Sequence, residues 1–291
     1  MLLEIAVGDG FGVGFEYIDE KVVKEFNKGF SYRQHPIHKD LKPGDYSDDT
    51  QMSLAVAEYI IDNGSKQDMK LFAEYVFNAF KRNPIKGYSK GFQTVLETVQ
   101  SSKELLETLE GRNTSDKNGG AMRAVPCGVF KDKQTVKDFA AFQASLTHGG
   151  RGIVAAQATA LASHYFRYDI GWPCSLGDFL NEELNLNETW EWSGKVKSPT
   201  DLGMITVKAA LFAVVCTNSL HDCLIQSVDY TGDVDTVAAI ALGVASQSRF
   251  HKNNLADSLL YNLRNDSYGI EYLKELDEKL KKQQLDKAEK I

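Results

Sequence analysis

From Thr50 onward, apolar residues recur at intervals of three and four with polar positions between them. TQMSLAVAEYIIDNG (50–64) and TVAAIALGVASQS (236–248) carry the pattern most clearly, with Ala and Gly filling the gaps, as in helices that bury one face and pack closely. The same spacing predicts helices over 67–81, 88–109, 136–146, 151–166, 201–216 and 255–263. Alternating runs rich in β-branched residues, the mark of strands, are nearly absent. Clusters of Gly, Pro, Asn, Asp and Ser place loops over 29–49, 110–120 and 171–199. The last segment, 268–291, is dense in charge, with Leu273, Leu276 and Leu280 at helical spacing. It reads as a charged amphipathic helix or fraying tail rather than a partner-binding element. An all-α fold class follows.

Composition narrows this picture without changing it. With 43% hydrophobic and 25% charged residues over 291 positions, the chain can bury a large core, and residues 1–291 are expected to form a single domain. A net charge of -7 argues against non-specific binding of nucleic-acid phosphates. Cys127, Cys174, Cys216 and Cys223 show no zinc-site spacing and read as reduced thiols. The start, MLLEIAVGDGFG, turns to Gly and Asp too soon for the apolar region of a signal peptide. No apolar run approaches the roughly 20 residues that span a bilayer. The expected setting is cytoplasmic, with no membrane partner.

Candidate chemistry lies at two helix starts. Ser47-Asp48-Asp49-Thr50-Gln51-Met52 precedes one apolar helix, and Gly232-Asp233-Val234-Asp235-Thr236-Val237 precedes another. Helix capping explains one such side chain at each start. It leaves the second carboxylate of each pair unexplained. Four carboxylates brought together would repel one another and resist desolvation, and divalent cations resolve that conflict. Carboxylate and hydroxyl oxygens without His or Cys suit a hard ion such as Mg²⁺, Mn²⁺ or Ca²⁺, and four carboxylates neutralise two of them. Whether the two starts meet is beyond what spacing alone establishes, so capping and metal binding both stay open at this point.

Five motifs in order resemble the ADP-ribosylglycohydrolase family: Gly8-Asp9-Gly10-Phe11-Gly12 followed by Glu16, Ser47 to Met52, Asn118-Gly119-Gly120-Ala121-Met122-Arg123, Leu146-Thr147-His148, and Gly232 to Thr236. The resemblance implies a compact orthogonal helical bundle with two Mg²⁺ ions in a cleft, Mn²⁺ being able to substitute. It carries the metal-ligand set onto Ser47, Asp48, Asp49, Asp233, Asp235 and Thr236. Asn118, Gly119, Gly120, Ala121 and Met122 resemble the loop that wraps the distal ribose and diphosphate, where missing side chains let backbone N–H groups approach phosphate oxygens. His148, Tyr230 and Gly232 are expected at the same pocket, Tyr230 as a stacking or bounding ring. Arg123 is expected to serve the scaffold, through a carboxylate, more than the diphosphate. Glu16 matches an acidic gate, and the loop-like 17–45 following it reads as a lid.

The implied activity is hydrolysis of the N- or O-glycosidic bond between ADP-ribose and a modified target, a protein side chain with arginine favoured over serine. Asp49, Asp235 and Glu16 are the expected proton-handling residues. Partners implied are an ADP-ribosylated protein or small molecule, with an ADP-ribosylating toxin or transferase as the opposing activity. The rival readings are an ADP-ribose-binding or toxin-immunity protein without turnover, and a hydrolase of some other nucleotide-ribosyl bond. Two departures from the family pattern stand out: little sequence precedes the Gly-Asp motif, and Thr231 replaces a Gly often found before the second acidic motif.

Overall fold

The computed structural model describes residues 1–37, 39–191 and 202–285, with side chains to 282. Fifteen α-helices appear among them. The N-terminal part comprises α1 (Leu2–Val13), α2 (Glu20–Phe26), α3 (Asp48–Asn63), α4 (Met69–Arg82), α5 (Lys90–Thr98) and α6 (Ser102–Leu109). The middle comprises α7 (Gly119–Met122), α8 (Lys133–Ala144), α9 (Gly150–Arg167) and α10 (Leu176–Leu184). The rest comprises α11 (Gly203–Cys216), α12 (Leu220–Asp229), α13 (Val234–Ala245), α14 (Asp257–Asn262) and α15 (Ile270–Leu285). The described residues contain only isolated β-bridges and no sheet, so the all-α reading holds.

Helix α13 is buried at every position from Val234 to Ala245, and α1 from Ile5 to Val13. The two lie side by side at the centre, with α3, α9, α11 and α12 around them. Close approach is what the glycines of α1 permit. A Cβ on Gly8 would come within 2.4 Å of the Ala238 carbonyl oxygen, and one on Gly12 within 2.3 Å of Asp235 Cα. Gly10 faces the Asp45 carbonyl instead, at 3.0 Å. Residues that disfavour a helix in isolation are thus the ones that seat α1 against its neighbours, which is why periodicity alone does not reveal this helix.

Four expectations need correction. The helix expected over 88–109 is two, α5 and α6, because Ser101 caps a fresh start by accepting from Glu104 N–H at 3.2 Å. The loop expected over 171–199 contains α10, and 192–199 lie outside the described residues. The stretch 217–230, given no element, forms α12, capped by the Ser219 hydroxyl. Finally, the loop-like 17–45 contains α2 and is tied down. Asn27 donates to the Ile225 carbonyl at 2.8 Å and Asp229 at 2.9 Å, while His35 Nε2 contacts the Glu16 carbonyl at 2.9 Å. Near the C-terminus, Leu273, Leu276 and Leu280 of α15 are buried. Asp277 accepts the Leu2 N–H at 3.0 Å, which fastens the start of α1.

Candidate metal centre and cavity

The starts of α3 and α13 converge. Thr236 Oγ1 and Ser47 Oγ both donate to Asp49 Oδ2, at 3.4 and 3.3 Å, although the two motifs are 187 residues apart in sequence. Capping does not account for the acidic pairs. Neither Ser47 nor Asp233, the N-cap residues, makes a side-chain capping bond. The cap of α3 comes instead from Asp9 in the middle of α1, which accepts from Ser47 N–H at 2.9 Å, Thr50 N–H at 2.9 Å and the Thr50 hydroxyl at 2.5 Å. With that duty met from another helix, Asp48 and Asp49 are left for other work.

Two carboxylate triads result. Asp9, Asp49 and Asp235 offer oxygens within 4.8 Å of one another, and so do Glu16, Asp233 and Asp235. Asp235 is common to both. Burial, reinforced by the neighbouring carboxylates, raises Asp49 and Asp235 well above the ordinary aspartate range. Asp48 rises to about 8 for the same reasons, and burial lifts Asp9 to about 6 against its four hydrogen bonds. Asp49 Oδ1 is buried with no hydrogen-bond partner. Oxygen ligands only, mutual repulsion and an orphaned carboxylate oxygen are what a hard divalent cation would satisfy, so these residues fit a metal.

A cavity of about 450 Å³ opens on this cluster. Of the residues expected from sequence, Glu16, Asp48, Asp49, Asp233, Asp235, Thr236, Asn118, Gly119, Met122 and His148 line it. Ser47 lines an adjoining cavity of about 410 Å³, which shares Glu16, Gly87, Tyr88 and Asp235 with the first. Gly120, Ala121, Tyr230 and Gly232 are not on either wall. Tyr230, just past the end of α12, accepts from Gln226 one turn earlier at 3.0 Å. Gly232 presents its carbonyl to Tyr17 N–H at 2.8 Å.

Asn118 is held by donation to Asp233 Oδ2 at 2.6 Å and Thr206 Oγ1 at 3.2 Å. The N–H groups of Gly120, Ala121 and Met122 turn inward, to His148 Nε2 and the Asn118 carbonyl, so these three do not form the expected backbone cradle. Asp48 belongs to neither triad. Arg123 is buried, and its acceptors are Gln143, the Gly119 carbonyl and Thr147 rather than the expected carboxylate. Sequence reasoning assigned no role to Asp9. Its signal was present, a charged residue among three glycines in an apolar segment, but its partners lie on α3, out of reach of local pattern.

Residues 1–247 match the family model described as ADP-ribosylglycohydrolase. The chain belongs to the ADP-ribosylglycohydrolase family. It is accordingly a hydrolase of glycosidic bonds to ADP-ribose. Among curated relatives of this glycohydrolase, the ADP-ribosylarginine hydrolase Tri1 of Serratia proteamaculans is 24% identical over 270 residues, covering 82% of this chain and 67% of its own. The ADP-ribosyl-(dinitrogen reductase) glycohydrolase of Rhodospirillum rubrum is 22% identical, covering 82% and 81%. The human ADP-ribosylhydrolase ARH3 is 24% identical, covering 69% of each chain. A solved structure titled ADP-ribosylglycohydrolase-related protein complex shares the fold, with a TM-score of 0.68 and 18% identity over 96% of this chain and 93% of that one. No described helix of this family member is long and apolar enough to cross a membrane.

Proposed function

We propose that this glycohydrolase uses two Mg²⁺ ions, replaceable by Mn²⁺, to release ADP-ribose from a modified protein side chain, arginine ahead of serine. The observation that carries the reading is the pair of carboxylate triads sharing Asp235, whose members other than Asp9 all line one cavity. Sharing one carboxylate is how a protein holds two cations a few ångströms apart. Preference for arginine draws support from the relatives: the similarity to an ADP-ribosylarginine hydrolase covers 82% of this chain, that to ARH3 69%. Free thiols at Cys127, Cys174, Cys216 and Cys223 accord with a cytoplasmic setting.

Asp49 and Asp235 would hold one ion and Asp233 and Asp235 the other, with Ser47, Asp48 and Thr236 supplying further oxygens and Asp9 fixing the start of α3. Bound there, the ions would supply Lewis-acid polarisation of the ribose hydroxyls and of the attacking water. Either Asp49 or Asp235 takes up the one proton released by that water. Glu16, on the wall between the two cavities, holds a proton at the departing side chain. Asn118 and His148 bound the rest of the ADP-ribose, with Gly119 and Met122 beside them.

The test is hydrolysis of ADP-ribosyl-arginine and ADP-ribosyl-serine peptides in Mg²⁺ and in chelator. ADP-ribose release from the arginine substrate is expected in Mg²⁺ only, with a loss of at least a thousandfold in Asp49→Ala and Asp235→Ala. Tight ADP-ribose binding without release from either substrate would overturn the reading in favour of a binding protein.

A further inference from the structure

The hydrogen bonds around Arg123 and His148 leave one donor on the cavity lining without an acceptor among the described residues. Gly120 N–H donates to His148 Nε2 at 3.2 Å, so that nitrogen presents a lone pair and the ring proton sits on Nδ1. Burial, with the Arg123 charge adding to it, pulls the imidazole down to about 3 and keeps it in this neutral tautomer. His148 Nδ1 lies 2.7 Å from Thr147 Oγ1 and therefore donates to it. Arg123 Nη2 donates to the same oxygen at 3.0 Å. A hydroxyl has two lone pairs and one proton. Both lone pairs of Thr147 are taken, and its proton has no acceptor among the described residues.

Thr147 lines the cavity, as do Arg112 and Lys117. Arg123, also on the lining, is largely buried and bonded to neutral oxygens alone. Burial lowers it only to about 10, which leaves it a cation at neutral pH. Glu16, Asp49, Asp233 and Asp235 of the carboxylate triads line the same cavity. The cavity lining thus carries carboxylates suited to cations and also the basic side chains of Arg112, Lys117 and Arg123, suited to an anion. A donor that is already doubly hydrogen-bonded is polarised by those bonds and strengthened as a donor.

We infer that the Thr147 hydroxyl donates to a diphosphate oxygen of the bound ligand, its orientation set by Arg123 and His148. The inference rests on the ADP-ribose reading above and adds to it a residue and the ligand group that residue reads.

Calorimetric titration of the full chain with ADP-ribose and with adenosine, which lacks phosphate, separates the possibilities. Thr147→Val keeps the shape and removes the hydroxyl, both its proton and the acceptor that Arg123 and His148 use. It is expected to weaken ADP-ribose by roughly ten- to a hundredfold, the range for a hydrogen bond to a charged group, while adenosine binding stays as in the unaltered protein. Thr147→Ser should bind ADP-ribose within about threefold of the unaltered protein, because the hydroxyl is kept. If Thr147→Val does not fold, Thr147→Ala carries the same expectation. Unchanged ADP-ribose affinity in the valine or alanine variant overturns the inference and leaves the proposed function standing. So does an equal loss of both ligands, which would make Thr147 a structural acceptor. Failure of the unaltered protein to bind ADP-ribose would overturn both.

Discussion

Asp49 accepts from two hydroxyls on one oxygen and from no donor on the other, with Asp9, Asp48 and Asp233 raising its carboxyl further after burial has done so. In metal-free protein such a group opposes folding, since bringing it into place costs either a protonation or a buried charge. Asp49→Asn keeps the shape and removes that cost. The variant should lose turnover by at least a thousandfold yet melt a few degrees higher than the unaltered chain in chelator at pH 8. Thermal melts beside activity assays check this, and a lower melting temperature would mean that Asp49 is structural. Asp9 differs, because its four bonds to α3 make it the strut that positions Asp48 and Asp49. Thr231 holds a φ of 57°, a conformation that costs a β-branched residue more than a glycine. The chain accepts that strain two residues before Asp233.

At the level of elements, α1 and α13 set the geometry of the centre. Their backbones touch along Gly8 and Gly12, and the contact brings Asp9 of one beside Asp235 of the other. A methyl group at Gly12 would stand 2.3 Å from Asp235 Cα, so Gly12→Ala must push the helices apart and with them the shared ligand. Overpacking of this kind typically costs about 1–3 kcal/mol. We expect a comparable loss of stability with a larger loss of activity. Gly91 in α5 is the control, since nothing lies within 4 Å of where its Cβ would be. Gly91→Ala should be neutral or stabilising, by up to about 1 kcal/mol. Chemical denaturation of both variants compares them directly, and equal effects would refute the role given to the α1–α13 contact.

Over the whole molecule, the raised carboxyls make stability depend on pH and metal together. Asp9 at about 6, Asp48 at about 8, and Asp49 and Asp235 well above 3.8 mean that the folded, metal-free chain binds protons which the unfolded chain has released. Stability then falls as pH rises from the ordinary carboxylate range through the raised one. His148, His164 and the half-buried His251 are lowered by desolvation and act oppositely. Their contribution is lost as pH drops below about 6.5. Between pH 7 and 8 the carboxylates set the slope, at about 1.4 kcal/mol per pH unit for each excess proton held. The melting temperature in chelator should fall by a few degrees over that interval, and saturating Mg²⁺ should flatten the dependence. A rise in chelator would contradict the cluster as described.

Local pattern was enough to specify helices wherever an apolar stripe runs unbroken, as in α3, α9 and α13, and to mark the acidic pairs at two of their starts. Those features depend on neighbours within a turn or two, which sequence spacing records. It could not specify α1, because its glycines lower helix propensity and earn their place only against α13, nor the break between α5 and α6, where a single serine outweighs continuous periodicity. The same limit applied at the site. Asp48, Asp49, Asp233 and Asp235 were legible as an excess of carboxylates over capping needs. The role of Asp9, the inward turn of the 120–122 N–H groups and the free proton of Thr147 were not, since each follows from a partner distant in sequence. Convergence of the two acidic helix starts is a property of packing, and it turns paired carboxylates into two triads with one member in common.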